Sequence, residues 1–400
     1  MKFELLEKYR EWIWNCQACS TCLKGPQNPF FPWGPTPDRI CPEYQRYRSL
    51  AHSCMGKIQN MKWLMEGKLE VTDEFAEAVF DCLMCGACGP ERMEQSGCVV
   101  DRQQIPMFRA LRTELVKMGK GPIEPFKRIA SAIEKEGNRF GAKVEKSKWI
   151  PEGMGIPDKG ELVYFAGCVA SYRSNQIAQA TAKIFKHAGV DFAVLGEEEW
   201  CCGNPLIDSG QADAFEPVVK HNIDAIKNAG AKQVVTSCGC CYNVLKFRYP
   251  EVAGDLGFEV VHITEILAKL IDEGKIKPDK SLSGKLTYQD PCHIARLGAA
   301  WNAGTEEPRK IINSIPGIEF AEMEGNMGLT QCCGRYVAEL PDMSLFTGIN
   351  RIKDAQAVGA DTIVTACSFC NWSLDRATKD MDAETKVLDI TEVVAQSLGL

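Results

Sequence analysis

The sequence predicts an α/β chain: a helical, cysteine-clustered front followed by two copies of a βαβ-type module built on parallel sheets. Three observations predict it. Nine cysteines fall within residues 1–115, between stretches of helical amphipathicity. From Glu161 onward, short apolar strands alternate with amphipathic helices. The second half then repeats the first. Residues 228–238, ending Val-Val-Thr-Ser-Cys238, resemble residues 357–367, ending Ile-Val-Thr-Ala-Cys367. Val261-His-Ile-Thr-Glu-Ile-Leu267 resembles Leu388-Asp-Ile-Thr-Glu-Val-Val394, and Cys201-Cys202-Gly203 recurs as Cys332-Cys333-Gly334. The offsets are 129, 127 and 131 residues, so one module is used twice.

In chain order, helices are expected near 3–14, 43–66, 73–81 and 103–118, with a Pro/Gly/aromatic loop from Pro26 to Pro37. These make a first domain over 1–118. The charged, cysteine-free stretch 119–159 reads as a linker with one helix, about 124–136. The first module spans 160–278, with strands at Leu162–Ala166, Phe192–Leu195, Gln233–Thr236 and Glu259–His262 and helices near 174–188, 211–229 and 264–273. Lys275–Gly284 is a hinge. The second module spans 284–400, with strands around Tyr288–Asp290 and Ile363–Thr365.

Composition narrows the function. The net charge is −7, from 46 basic and 53 acidic side chains, which argues against a nucleic-acid surface. No apolar run approaches the ~18 residues of a membrane span. Met1-Lys2-Phe3-Glu4 opens no apolar signal region, so a cytoplasmic protein is expected, with docking on a membrane subunit left open. Twenty cysteines raise the question of a disulfide framework. Such frameworks belong to small secreted domains, whereas a long chain with cysteines in short clusters points to metal or iron–sulfur binding.

The first cluster pattern is Cys16-x2-Cys19-x2-Cys22, followed after 18 residues by Cys41-Pro42. The second is Cys82-x2-Cys85-x2-Cys88, followed after nine residues by Cys98. Three thiolates at this spacing wrap three corners of a cubane, and in two-cluster ferredoxins each distant fourth cysteine serves the other cluster. The expected sets are Cys16, Cys19, Cys22 and Cys98 for one [4Fe–4S], and Cys82, Cys85, Cys88 and Cys41 for the other. The long spacers and the valine after Cys98 depart from the compact pattern. A zinc site is the competing reading, but zinc prefers two CxxC pairs. Cys54 fits no pattern and reads as a buried inert thiol.

Each repeat carries five cysteines in one order. The first holds Cys168, Cys201-Cys202-Gly203 and Cys238-x2-Cys241; the second holds Cys292, Cys332-Cys333-Gly334 and Cys367-x2-Cys370. Four of these ten follow predicted strand ends, where open α/β sheets bind ligands, so all ten can converge on one edge of the fold. The glycines are expected to let backbone approach a bulky group closely. Five thiolates are one too many for a zinc tetrahedron or a single cubane. Cys240 is a spare thiol or an alternative ligand.

This pattern resembles the CCG domain of the heterodisulfide reductase family. A ferredoxin domain followed by two CCG modules resembles that family's D subunit, a fusion of its C and B subunits. The resemblance covers nearly the whole chain. It implies a noncubane [4Fe–4S] cluster on Cys168, Cys201, Cys202, Cys238 and Cys241, and a second on Cys292, Cys332, Cys333, Cys367 and Cys370. In B-type subunits two such clusters cleave a disulfide, each taking one sulfur in single-electron steps. Many relatives keep one complete module; both are complete here. The same resemblance implies a hetero-oligomeric complex with a flavin-containing or other redox partner, and possible membrane-anchor or catalytic subunits. The alternative is an electron-transfer subunit of a flavin-based bifurcating assembly, of the class II benzoyl-CoA reductase type, with no disulfide substrate of its own. His293 follows Cys292, and Arg296 and Arg335 lie near the second module's cysteines; these could donate a proton or hold an anionic tail, or be structural. His52, His187, His221 and His262 form no ligand-spaced pair, and no GxGxxG or P-loop suggests a bound nucleotide.

Overall fold

The computed structural model describes residues 3–24, 41–89, 104–298, 303–334 and 341–400. The front is helical: α1 (Glu4–Glu7), α2 (Arg10–Trp14), α3 (Thr21–Lys24), α4 (Pro42–Tyr47), α5 (Cys54–Met65), α6 (Asp73–Phe80) and α7 (Gln104–Lys117), with α8 (Glu124–Glu136) in the following segment. The long helix expected over 43–66 is two. Arg48 takes a left-handed backbone (φ 51°) that ends α4, and Ser53 restarts the chain by accepting the Gly56 N–H at α5.

The first module contains β1 (Leu162–Tyr164), α9 (Gly167–Tyr172), α10 (Asn175–His187), α11 (Asn204–Asp208), α12 (Ala212–Asn228), β2 (Gln233–Thr236), α13 (Gly239–Asn243), α14 (Tyr249–Ala253), β3 (Glu259–His262) and α15 (Ile263–Asp272). Its strands lie parallel in the order β1-β2-β3. The second contains β4 (Gly284–Gln289), α16 (Cys292–Ala295), α17 (Glu306–Asn313), β5 (Ile318–Phe320), α18 (Pro341–Ala357), β6 (Thr362–Thr365), α19 (Ser368–Asp380), β7 (Lys386–Asp389) and α20 (Ile390–Leu398), with sheet order β5-β4-β6-β7.

The strand expected at Phe192–Leu195 shrinks to one bridge, Ala193 to Val163. The Val194 N–H is taken by the Pro157 carbonyl, and the chain turns into a 3-10 segment at Gly196. The corresponding segment of the second module does pair, as β5. One apolar core joins the front helices to the first module, running from Leu6, Met61 and Phe108 to Val163 and Val234. Burial of this continuous kind is what holds the front against the modules. No helix among the described residues is long and apolar enough to cross a membrane.

Candidate metal centre

In the first module β1 delivers the chain to Gly167 and Cys168. The Glu199 carboxylate accepts the Ala166 and Gly167 N–H groups at 2.9 and 2.8 Å. Lys146 holds that carboxylate at 3.0 Å; both side chains are almost fully buried. Burial alone would push Lys146 down, but Glu199 and the sulfurs of Cys168 and Cys201 raise it above its ordinary value. The Cys201–Cys202 loop is pinned by Asn222, which donates to the Cys201 carbonyl at 3.1 Å and accepts from the Trp200 N–H at 3.0 Å. The Cys201 N–H donates to the Gly137 carbonyl, and the Arg139 amide donates to the Cys168 sulfur.

The five sulfurs form a continuous chain of contacts in the order Cys168, Cys201, Cys202, Cys241, Cys238. Hydrogen bonds from Cys201 and Cys241 pull the Cys202 thiol down to about 5. Hydrogen bonding to Cys201, with burial, pushes Cys168 up.

The second module builds the same chain from Cys292 through Cys332, Cys333 and Cys370 to Cys367. Its loop is held differently. Gln289 donates to the Gln331 carbonyl at 3.1 Å and accepts from Arg351 at 2.5 Å; Arg351 also donates to the carbonyls of Glu324 and Gly325. Arg309 forks between Asp290 and Glu322, fixing the residues just before Cys292. The chains meet where Cys238 Sγ lies 3.9 Å from Cys367 Sγ. Cys240 joins them there, the three sulfurs lying within 4.8 Å of one another.

The front reaches this edge through its second triplet. Cys85 hydrogen-bonds to Cys332, which together with the Arg296 charge lowers the Cys85 thiol to about 6. Arg296, 3% exposed, donates to the Cys85 carbonyl at 3.1 Å and to the carbonyls of Gly328 and Thr330. Cys41 and Cys82 both lie within electrostatic reach of Cys88. Cys16 and Cys22 are part-buried and Cys19 is exposed.

Several residues escaped sequence reasoning. Cys54 is buried, but its sulfur touches Cys22 of one triplet and Cys88 of the other. The linker is part of the first site, through Gly137, Arg139 and Lys146. Its only sequence signal was a lysine among many. The Cys-Cys-Gly glycines are also required for packing. Gly203 and Gly334 adopt φ of 83° and 93°, and a Cβ on them would strike the Phe215 ring at 2.6 Å and the Ser344 carbonyl at 2.2 Å. They serve a left-handed turn and close helix packing, and the Gly203 amide reaches the Cys201 sulfur. At Gly167 too the backbone runs close to a sulfur: a Cβ there would stand 2.9 Å from Cys241 Sγ. His293 is 2% exposed beside Cys292. Arg296 is a buried bracket rather than a site for a ligand tail. Cys98 and Arg335 lie outside the described residues.

The donors fit the implied group. They are thiols throughout, all 19 described cysteines are free, and each module gathers five around one edge. Thiolate-only sets of this kind suit iron–sulfur clusters, and five exceed the four that zinc takes.

Comparison with known proteins agrees. The cysteine-rich domain family, CCG, matches residues 162–246 and 286–375. The D subunit of the dihydromethanophenazine:CoB–CoM heterodisulfide reductase of Methanosarcina barkeri is 34% identical, over 96% of this chain and 94% of that protein. The chain belongs to this family. Other oxidoreductases are similar over shorter spans. EtfAB:quinone oxidoreductase of Syntrophomonas wolfei is 31% identical over 81% of this chain and 47% of that one. The B subunit of the fumarate reductase (CoM/CoB) of Methanothermobacter marburgensis is 30% identical over 80% and 61%. A hypothetical protein from Helicobacter pylori shares the fold, with a TM-score of 0.53 and 11% identity over 86% of this chain and 68% of that one. The chain is thus an iron–sulfur oxidoreductase, or the electron-transfer subunit of one.

Proposed function

We propose that this D-type heterodisulfide reductase homologue takes electrons from a flavin-containing or other redox partner and uses them to reduce a disulfide. Two [4Fe–4S] cubanes would be held by Cys16, Cys19, Cys22 and Cys98 and by Cys41, Cys82, Cys85 and Cys88. Two noncubane [4Fe–4S] clusters would be held by the five cysteines of each module. When bound, these groups supply one-electron carriers and, at the modules, iron that accepts sulfur. The chain would work in the cytoplasm within a hetero-oligomeric complex.

One observation carries this reading: Cys85 touches Cys332, and Cys238 lies 3.9 Å from Cys367. That continuity supports a path from the front into the second module and then the first. Among the described residues, the first module has a small cavity beside its sulfurs, of about 30 Å³, lined by Arg139, Asn204, Cys240 and Phe369 among others. Cys202, Cys238 and Cys241 also line it. Arg139 stacks over the Phe369 ring at 4.8 Å at this mouth, a cation within reach of an acidic substituent.

Iron and acid-labile sulfide on anaerobically purified protein test the reading. About sixteen irons per chain, with disulfide-dependent oxidation of a reduced dye, is the expected result. About eight would remove the modules from the path. A second reading, an electron-transfer subunit without a disulfide substrate, is favoured by Cys240. Its sulfur already stands between the two module sites, where a substrate sulfur would sit. A fully loaded chain that reduces no disulfide supports that reading.

A further inference from the structure

The front's second triplet is unusual for the buried charge around it. Lys57 is 1% exposed and its ammonium lies 2.5 Å from Glu43, which is 2% exposed. The same ammonium is within electrostatic reach of the sulfurs of Cys41 and Cys82. Arg112, 1% exposed, donates to the carbonyls of Val79, Phe80 and Cys82 at 2.7–3.0 Å and acts electrostatically on the Cys82 sulfur. Arg296, 3% exposed, donates to the Cys85 carbonyl and acts on the Cys85 sulfur. Three different elements thus each aim a buried cation at a sulfur of one set. Glu43 and Asp81 are the carboxylates on the same side; Asp81 is part-exposed, its side chain 17% accessible, with His52 3.5 Å away. Cys19 of the first triplet, by contrast, is open to solvent.

A cluster on Cys41, Cys82, Cys85 and Cys88 gains one negative charge on reduction. In a buried site that charge is poorly solvated, and fixed cations are the means of offsetting it. Resting on the cluster assignment above, we propose that Lys57, Arg112 and Arg296 are potential-setting residues. Their buried positive charge raises the reduction potential of the cluster on Cys41, Cys82, Cys85 and Cys88. An electron entering at the exposed first triplet therefore settles beside Cys85 before it crosses to Cys332. The three act through ligand sulfurs and carbonyls, so they are positioning residues and not catalytic ones.

The test is an EPR-monitored redox titration of the full chain, purified anaerobically, with Cys19→Ala used to assign the two cubane signals. Lys57→Gln should move the second cubane's midpoint to lower potential, and Glu43→Gln should move the same midpoint to higher potential. The first cubane's midpoint should stay in place, and Lys57→Arg should keep the wild-type value. Shifts of opposite sign at one midpoint do not arise from general loosening. Should Lys57→Gln fail to fold, Arg296→Gln, from a different element, should still lower that midpoint. Loaded variants whose midpoints match wild type overturn the proposal and leave the cluster assignment standing. A wild-type chain with no cubane signals overturns both together.

Discussion

The two modules are copies with the same five-sulfur chain and different walls. In the first, the wall is the preceding segment: Gly137 and Arg139 give backbone contacts to Cys201 and Cys168, and Lys146 neutralises Glu199 beneath them. In the second, the wall is the front domain, with Cys85 against Cys332 and Arg296 tying both loops together. The spare positions differ as well. Residue 240, inside the Cys238-x2-Cys241 turn, is cysteine, and its counterpart 369 is phenylalanine. Duplication therefore preserved the donors while the surroundings diverged, one module set against Cys85 of the front and the other against the segment that precedes it.

Breaking one copy at a time exposes that division. The largest effect is expected from Cys332→Ser. It should remove about four of the sixteen irons and abolish turnover while the cubane EPR signals persist. Undiminished disulfide reduction in that variant would sink the path through the second module. Lys146→Met leaves Glu199 buried without its partner, which costs about 3–5 kcal/mol. Thermal unfolding should fall accordingly, and iron should be lost from the first module only; equal loss from both would refute the separate walls. Asn222→Ala strands the Cys201 carbonyl, at about 1–3 kcal/mol, with the same module-specific signature in iron analysis.

The smallest and sharpest contrast lies at two equivalent helix caps. His262 and Asp389 each close a capping box, at the start of α15 and α20. Burial lowers His262 from 6.5 to about 4 and raises Asp389 from 3.8 to about 8. The folded state keeps both neutral. Stability tied to His262 is full above its unfolded value and is lost as pH falls from 6.5 towards 4. Stability tied to Asp389 is full in acid and is lost as pH rises from 3.8 towards 8. His262→Gln should thus flatten the acid side of a stability profile from chemical unfolding, and Asp389→Asn the alkaline side. Profiles that keep their wild-type shape would show that neither cap titrates in this way.

Much of the architecture was legible in advance. Helical periodicity located α6, α7, α8, α10, α12 and α15 closely, because each sets an apolar stripe against the core. The strand at Phe192–Leu195 is shortened for a local reason: Ala193 exchanges both backbone hydrogen bonds with Leu162 and Tyr164, and the chain then turns away into the 3-10 segment at Gly196. The length of an edge strand depends on where the chain leaves the sheet, and apolar composition does not record that turn. Cys54 was legible as buried and illegible as a neighbour of Cys22 and Cys88, since it has no spacing relation to either.

The sequence by itself determined which cysteines are grouped: the two triplets and the duplicated sets of five follow from residue type and spacing, because metal ligation tolerates little variation in either. The tertiary structure alone decided which sulfurs touch across elements: Cys85 with Cys332, Cys238 with Cys367, Cys54 between the triplets. It also decided which charges face them, and Lys57, Arg112, Lys146 and Arg296 look in the sequence like any other basic residues. The physical reason is that a buried cation is specified by the absence of water around it, and that absence is created by elements distant in the chain packing together.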